Sequence, residues 1–432
     1  MKLKIYIQVI VFVLMFTVSS AESVQVNLTP GITVGGTYTD NLFLTEVDAK
    51  SEFITTIAPS VRLGLVGKLS GIDLFYEPSY AFYNEYDESN TWRHQVDFLG
   101  WLQVTKNARL DLRDNFINTE DPLSGADIAR LRTEDPTVPI DPTVRRGRNR
   151  YTRNFASINY NHQFGLNDAF RIGYRHRFLE NEDLAIEDSS ASEPYAGFTF
   201  WFSPKWGFDS DVLYTMGDYD FTGDIDRFFG TIRLLRKFTR NLDGYIRYSH
   251  SIVEFDTVAA AAEDTTYNPS IGINYLIEED ITLIAEIGYY INEFDLREDQ
   301  SGITSDVRLI KRFRRGSINL SFLCGYDYQL FVTTQQNGFE KFIESAVSGT
   351  YSFTRYLSGN ITGAYRYSDF VDVGYENDRY QGRVGLTWTP LNWMAIDATY
   401  SYAVLESTAL QDYDENRIFL RVSLVPSIPY RF

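Results

Sequence analysis

RYQGRVGLTW, residues 379–388, decides the architecture. Tyr380, Val384, Leu386 and Trp388 alternate with Arg379, Gln381, Arg383 and Thr387. Successive side chains of a strand point to opposite faces, so this segment has one apolar face and one wet, cationic face. The pattern recurs in AFRIGYRHRF (169–178), where Phe170, Ile172 and Tyr174 alternate with Arg171, Gly173 and Arg175. It recurs again in SGNITGAYRYS (358–368), and in NRIFLRVSLV (416–425) with Arg417 and Arg421 on the polar face. An arginine at mid-bilayer costs about 2–4 kcal/mol, so the charged face cannot look at lipid. The apolar face looks outward, the arginines look into water, and hydrocarbon forces the sheet to close.

Period-2 stretches of this kind can be traced from 30–43 to 414–432, about twenty in all, with eighteen as the alternative count. The links after even strands are tight, as in GKLSG, TKNA, GLND, SPKW and EED. The links after odd strands are longer and polar, as in ENEDLAIEDSSAS, EFDTVAAAAEDTT and STALQDYDE. Short turns on one side and long loops on the other predict an all-β, closed, up-and-down antiparallel transmembrane barrel, with short periplasmic turns and long extracellular loops. Aromatic residues near strand ends fit interface girdles, among them Tyr76, Tyr80, Phe82, Phe198, Phe202, Tyr326, Tyr328, Trp388, Tyr400 and Tyr402.

The ends of the chain agree. Lys2 and Lys4 precede an apolar run, Ile5 to Val18, and the small residues Ser19-Ser20-Ala21. This reads as a cleaved secretory signal peptide over 1–21. Residues 22–29 are then a short periplasmic segment and 30–432 the barrel, in the bacterial outer membrane. At the other end, SLVPSIPYRF (423–432) alternates Ile428, Tyr430 and Phe432 with Ser427, Pro429 and Arg431. A strand of this form, ending on Phe, resembles the signal by which barrel-assembly machinery recognises its clients. Pro426 and Pro429 remove ladder donors and predict a bent or late-pairing end.

Composition excludes several functions. The formal net charge is −18, and loss of Lys2 and Lys4 makes it more negative, which argues against nucleic acid as a partner. Aromatics make up 16% of the chain. Cys324 is the only cysteine, so there is no internal disulfide, and His94, His162, His176 and His250 show no ligand-like spacing. No G-x-S-x-G, H-E-x-x-H or phosphate-binding glycine loop occurs. The reading is of a non-enzyme without metal or cofactor, whose partners are outer-membrane lipid and the assembly machinery.

A barrel of this size leaves an aqueous interior unless something fills it. The period-2 phase assigns Arg62, Arg109, Arg113, Arg171, Arg175, Arg366, Arg379, Arg383, Arg417 and Arg421 to the lumen. Arg233 and Arg247 share that phase. The acidic residues assigned there are Asp73, Glu77, Asp209 and Asp211, with Asp97, Asp111, Glu286, Asp327, Glu344 and Asp397. Such side chains set selectivity in pores, although most are expected to be salt-bridged wall residues that keep the lumen solvated. Trp101, Tyr195, Trp201 and Tyr290 also fall at inward phases, where flat rings suit sugars. The longest link, residues 120–149, contains GADIARLR and four prolines; it either folds over the pore and narrows it or extends outside.

LTPGITVGGTYTDNLFLTE (28–46) followed by SEFITTIAPSVRLGL (51–65) resembles the β-barrel porin family found with exopolysaccharide biosynthesis and export systems, including proteins linked to PEP-CTERM sorting. The resemblance rests on Pro30, Tyr38, Asp40, Asn41, Ile54, Thr55, Ile57 and Pro59. It implies export of an extracellular polysaccharide across the outer membrane, with periplasmic export components as partners. Pore physics alone leaves two alternatives: a general or anion-leaning diffusion porin for small solutes, and a non-conducting structural or adhesion barrel.

Overall fold

The computed structural model describes residues 24–122, 147–221, 223–256, 261–295, 298–329, 338–371 and 374–431. The leader 1–21 and Phe432 lie outside the described residues, as does most of the 120–149 link. The chain opens with β1 (Gln25–Thr39), β2 (Glu52–Val66), β3 (Ser70–Tyr83), β4 (Thr91–Thr105), β5 (Ala108–Thr119) and β6 (Tyr151–Gln163). Next come β7 (Ala169–Asn181), β8 (Ser189–Phe200), β9 (Trp206–Tyr219), β10 (Asp224–Lys237), β11 (Leu242–Asp256), β12 (Ala261–Glu278) and β13 (Ile281–Phe294). The circuit continues through β14 (Gln300–Phe313), β15 (Gly316–Gln329), β16 (Gly338–Ser352), β17 (Leu357–Phe370) and β18 (Tyr375–Leu391). It ends with β19 (Met394–Ser407), β20 (Tyr413–Leu424) and the two-residue β21 (Tyr430–Arg431).

Each of the twenty long strands pairs antiparallel with the long strands next to it in sequence, and β20 returns to β1, so the sheet is a closed barrel. The apolar phase of each strand is the exposed one: Ile172 is 56% exposed, Ile246 62% and Leu420 55%, as a surface meant for hydrocarbon must be. On that same face the tyrosines end in polar contacts. Tyr174 Oη meets Ser192 Oγ at 2.8 Å, Tyr289 Oη donates to Ser301 Oγ at 2.9 Å, and Tyr400 Oη donates to Asn416 Oδ1 at 2.6 Å. An amphipathic ring with a bonded hydroxyl belongs at a membrane boundary.

The closing seam joins β1 to β20 from Ile32↔Leu424 to Thr39↔Arg417. Beyond Leu424 the chain leaves the ladder, and it rejoins β1 at Leu28↔Tyr430 and Asn27↔Arg431. The prolines Pro426 and Pro429 sit in that interruption, where no ladder donor is needed. Pro30 faces the same gap, which explains how β1 begins at Gln25 and runs through it. Above the seam, the Asp40 carboxylate accepts the Asn416 backbone N–H and side-chain amide, both at 2.7 Å. The Asn41 amide donates to the carbonyls of Asp414 (2.9 Å) and Thr45 (2.8 Å). Two residues that carry the family resemblance therefore staple the barrel shut. Asp40→Ala removes both charge-assisted bonds and is expected to cost about 2–3 kcal/mol, read as a lower urea midpoint of the folded barrel. An unchanged midpoint would show that the seam closes without this staple.

The strands differ from their sequence reading at the first strand, which runs 25–39 in place of 30–43 and so takes in part of the 22–29 segment, and at one hairpin. EFDTVAAAAEDTT (254–266) reads as a loop, yet β11 and β12 stay paired up to Asp256↔Ala261. The neighbouring strand holds β12 there as well, through Asp264↔Phe294. A flanking ladder overrides weak local β-preference.

Candidate functional site

The inner face is identified by contacts between strands that are not neighbours. Asp121, just beyond β5, reaches Arg417 on β20 at 3.4 Å, and Arg227 on β10 lies 5.5 Å from the ring of Tyr328 on β15. Such contacts are possible only across the bore. The register puts the charged residues on this same face: Arg62 opposite Phe75, Asp111 opposite Trp101, Arg171 opposite Gly197 and then Asp211, Arg366 opposite Arg379, and Arg421 opposite Asp397. Arg113, Arg175, Arg383, Arg417 and Glu77 share that phase on their strands.

Toward the tight turns the wall is a belt of ion pairs. Arg62–Asp73 stand 2.8 Å apart, Arg109–Asp111 2.7 Å, Arg171–Asp211 2.6 Å, Arg233–Asp209 2.5 Å and Arg308–Asp306 2.8 Å. Arg247 pairs with Glu286. The Arg62 and Arg109 side chains are 57% and 49% exposed, so these pairs face a water-filled space. Each exposed pair stabilises the fold by at most about 1 kcal/mol. Their consequence is electrostatic: a wall whose charges are largely cancelled in place.

Toward the long loops the bore fills. Arg366 binds Glu340 and Glu344 with its side chain 13% exposed, and Arg417 binds Glu415 with its side chain at 4%. The Glu52 carboxylate, also buried, accepts the backbone N–H of Asn84, Glu85 and Tyr86 and so fixes the β3–β4 link. Val253, Tyr290, Phe294, Tyr328 and Phe339 form one buried cluster spanning β11 to β16. Asn292 Oδ1 accepts hydrogen bonds from Thr266 Oγ1 (2.6 Å) and Tyr328 Oη (3.1 Å) beside it. Tyr326 and Tyr328 thus turn inward, not into the girdle that period 2 assigns them. The β14–β15 ladder stops at Ser305↔Cys324 while β15–β16 continues to Gln329↔Gly338, so the upper end of β15 is free to rotate.

The roots of the 120–149 link also enter this space. Glu120 receives Tyr83 Oη at 2.5 Å and Arg93 through Nε (3.0 Å) and Nη2 (2.5 Å). Asp121 is gripped by Arg148 and Arg417, and Arg148 Nε donates to the Leu42 carbonyl at 3.1 Å. Burial alone would raise the Asp121 pKa, but the Arg148, Arg417 and Arg93 guanidiniums hold it well below the usual carboxylate range. Both roots therefore lie across the extracellular end of the bore; residues 123–146 are outside the described residues.

The four inward aromatics are laid against the wall. A Cβ on Gly71 would come within 2.4 Å of the Trp101 ring, one on Gly173 within 2.2 Å of Tyr195, one on Gly207 within 2.7 Å of Trp201 and one on Gly302 within 2.8 Å of Tyr290. Three of the rings also carry cations: Arg109 lies 5.2 Å from Trp101, Arg175 4.6 Å from Tyr195 and Lys237 4.2 Å from Trp201. Tyr290 belongs to the buried cluster.

Sequence reading missed Arg93, Arg177, Arg227, Arg308 and Glu52. The signal was available. Arg93 is in phase with Asp97, Arg177 with Arg175 and Arg227 with Arg233, each at an even spacing on its strand.

The family described as "Putative beta-barrel porin 2" matches residues 329–425, the strands that hold Arg366, Arg379, Arg383, Arg417 and Arg421. No curated protein matches the chain. Among solved structures, the chain resembles the FrpB iron transporter from Neisseria meningitidis at 8% identity and TM-score 0.57, covering 93% of this chain and 82% of that one. The siderophore receptor PirA from Pseudomonas aeruginosa follows at 9% identity and TM-score 0.51, covering 93% and 80%. Pseudomonas aeruginosa OpdK with vanillate gives 10% identity and TM-score 0.43, covering 92% and 99%. At these identities the likeness is one of fold. The chain is a closed antiparallel β-barrel of twenty long strands, and its match to a porin family model is confined to residues 329–425.

Proposed function

We propose that the protein is a passive outer-membrane channel for small hydrophilic solutes, wide at its periplasmic mouth and narrowed at its extracellular end. The observation that carries this reading is the state of the inner wall. Exposed charges along it are paired in place, and its aromatic rings sit against wall glycines with cations close to them. Such a wall keeps water in the bore and offers no strong binding site to slow a solute. Passage of a polysaccharide draws its support from the N-terminal resemblance; the rings at Trp101, Tyr195 and Trp201 already carry cations where a sugar would stack.

One sector of the wall is rich in arginine: Arg379 and Arg383 lie on β18 and Arg421 on β20, where Arg421 stands opposite Asp397 and 5.8 Å from the Phe419 ring. We expect this sector to give the channel a modest preference for anions. Purified protein in planar bilayers tests the proposal. Under a potassium chloride gradient the reversal potential is expected to favour chloride, and Arg383→Gln with Arg421→Gln to shift it toward potassium. Absence of any conductance from folded protein would sink the channel reading and leave a structural barrel.

The same proposal takes Ile428, Tyr430 and Phe432 as the segment that assembly machinery recognises. In support, Ile428 is 71% exposed and Tyr430 55%, and β21 pairs only with β1, leaving its other edge open to a partner strand.

A further inference from the structure

The chain carries a net charge of −18, yet one sector of its tight-turn rim is basic. The β14–β15 link lies within KRFRRG (311–316), and the β16–β17 link reads FTRY (353–356). The two turns touch: Ser352 N–H donates to the Arg315 carbonyl at 2.7 Å, and Arg315 Nη1 donates to the Phe353 carbonyl at 3.1 Å. Arg314, Arg315 and Arg355 are all exposed, while Arg312, opposite Ser317, lies on the inner phase with Arg308. Among the described residues none of the three has a carboxylate within ion-pair distance; the nearby Asp280 is taken by Lys311 at 2.7 Å. The arginine belt inside the bore is built the opposite way, with its cations matched to acids.

Aromatic rings alternate with these cations. Phe313, Tyr351, Phe353 and Tyr356 are 40–47% exposed. Tyr351 and Phe353 meet edge to face at 5.3 Å, and the Arg355 guanidinium lies 4.4 Å from the Tyr356 ring centre. A cavity of about 660 Å³ adjoins the sector, lined by Arg355, Tyr356, Leu391, Trp393 and Val425 among others. Unpaired guanidiniums above an aromatic belt, at the edge of a lipid-facing wall, match a phosphate held at the level of the headgroups.

We propose that this sector is a binding site for an anionic phospholipid of the periplasmic leaflet. The Arg314, Arg315 and Arg355 guanidiniums take the phosphate, the rings pack at the glycerol level, and the cavity beside Arg355 gives the headgroup room.

Native mass spectrometry of the full chain in neutral detergent tests it. Dioleoylphosphatidylglycerol and dioleoylphosphatidylcholine are offered at equal concentration. Adducts of the anionic lipid are expected to exceed those of the neutral one by about fivefold or more, the effect of one or more basic residues near an anionic headgroup. Replacing Arg314, Arg315 and Arg355 by Gln is expected to bring the ratio near unity, with the heat-modifiable gel shift of the folded barrel retained. Should that variant not fold, Arg314→Gln with Arg355→Gln carries the same comparison. Lys311→Gln, whose charge is already matched by Asp280, is expected to keep the preference. Equal adducts on the unmodified protein, or an undiminished ratio in the arginine variant, would overturn the site. Displacement of the lipid by free glycerol phosphate at the same concentration would overturn it in favour of a soluble phosphate, and retention of muropeptides in place of lipid would overturn it in favour of the cell wall.

Discussion

Replacing Asp121 by Asn will release the root of the long loop, destabilise the barrel and enlarge its conductance. Arg148 and Arg417 have side chains only 4% exposed, and Asp121 is the carboxylate they share. Without it Arg148 keeps, among the described residues, the Leu42 carbonyl and the Tyr83 ring at 6.0 Å, while Arg417 keeps Glu415. Stranding a buried guanidinium costs about 3–5 kcal/mol, and the partial exposure of Asp121, at 35%, puts the expected loss near the lower figure. The urea midpoint and the single-channel conductance of Asp121→Asn read the two halves of this prediction. If neither moves, the loop root does not narrow the bore. The pH dependence has a definite sign. The carboxyl is held below its ordinary range, so its stabilisation is complete above the unfolded value of about 3.9 and is lost only as pH falls through the lowered one. Conductance of the unmodified protein is therefore expected to be insensitive to this group between neutral pH and about pH 4.

Phe339→Ala is the second large effect. Phe339 is fully buried at the extracellular end, with ring centres of Phe294 and Tyr328 at 5.4 Å, Tyr326 at 5.7 Å and Tyr290 at 6.0 Å. Truncation opens a cavity among aromatic rings drawn from β13, β15 and β16, and such changes cost about 3–5 kcal/mol. The outward-facing Phe322, 41% exposed toward lipid, provides the comparison. Phe322→Ala in the same vesicles is expected to lose far less. A loss below about 1 kcal/mol at Phe339 would mean that the extracellular half of the bore is not packed as a core.

Which of these features the residues announce by themselves follows from the range of the interactions involved. A strand's two faces are a local property, so the lumen phase of Arg171, Arg383 and Arg421 is legible from a ten-residue window. Strand order follows from the turns, and closure follows from the chemistry of hydrocarbon. The filling of the extracellular end is not local. Asp121 and Arg417 are 296 residues apart, and nothing near either one signals the other. The aromatic rings show the same limit. Phase puts Tyr195 and Trp101 on the inner face, but only the register reveals that Gly173 and Gly71 stand opposite them, and only the fold brings Arg175 and Arg109 within reach of the rings. Tyr328 fails for a third reason: the ladder on one side of β15 ends before the strand does, so the alternation that holds at Ile318, Leu320 and Phe322 lapses by Tyr326.

Thiol accessibility across adjacent positions of β18 probes the barrel's two faces most directly. With Cys324→Ser as background, Arg383→Cys and Val384→Cys are refolded separately into lipid vesicles and exposed to a water-soluble, membrane-impermeant maleimide. Arg383→Cys is predicted to react, because position 383 looks into water continuous with the bulk, while Val384→Cys, facing acyl chains, is predicted to stay unmodified. Labelling at 384 with protection at 383, or equal labelling of both, would contradict an inward charged wall and an outward apolar one.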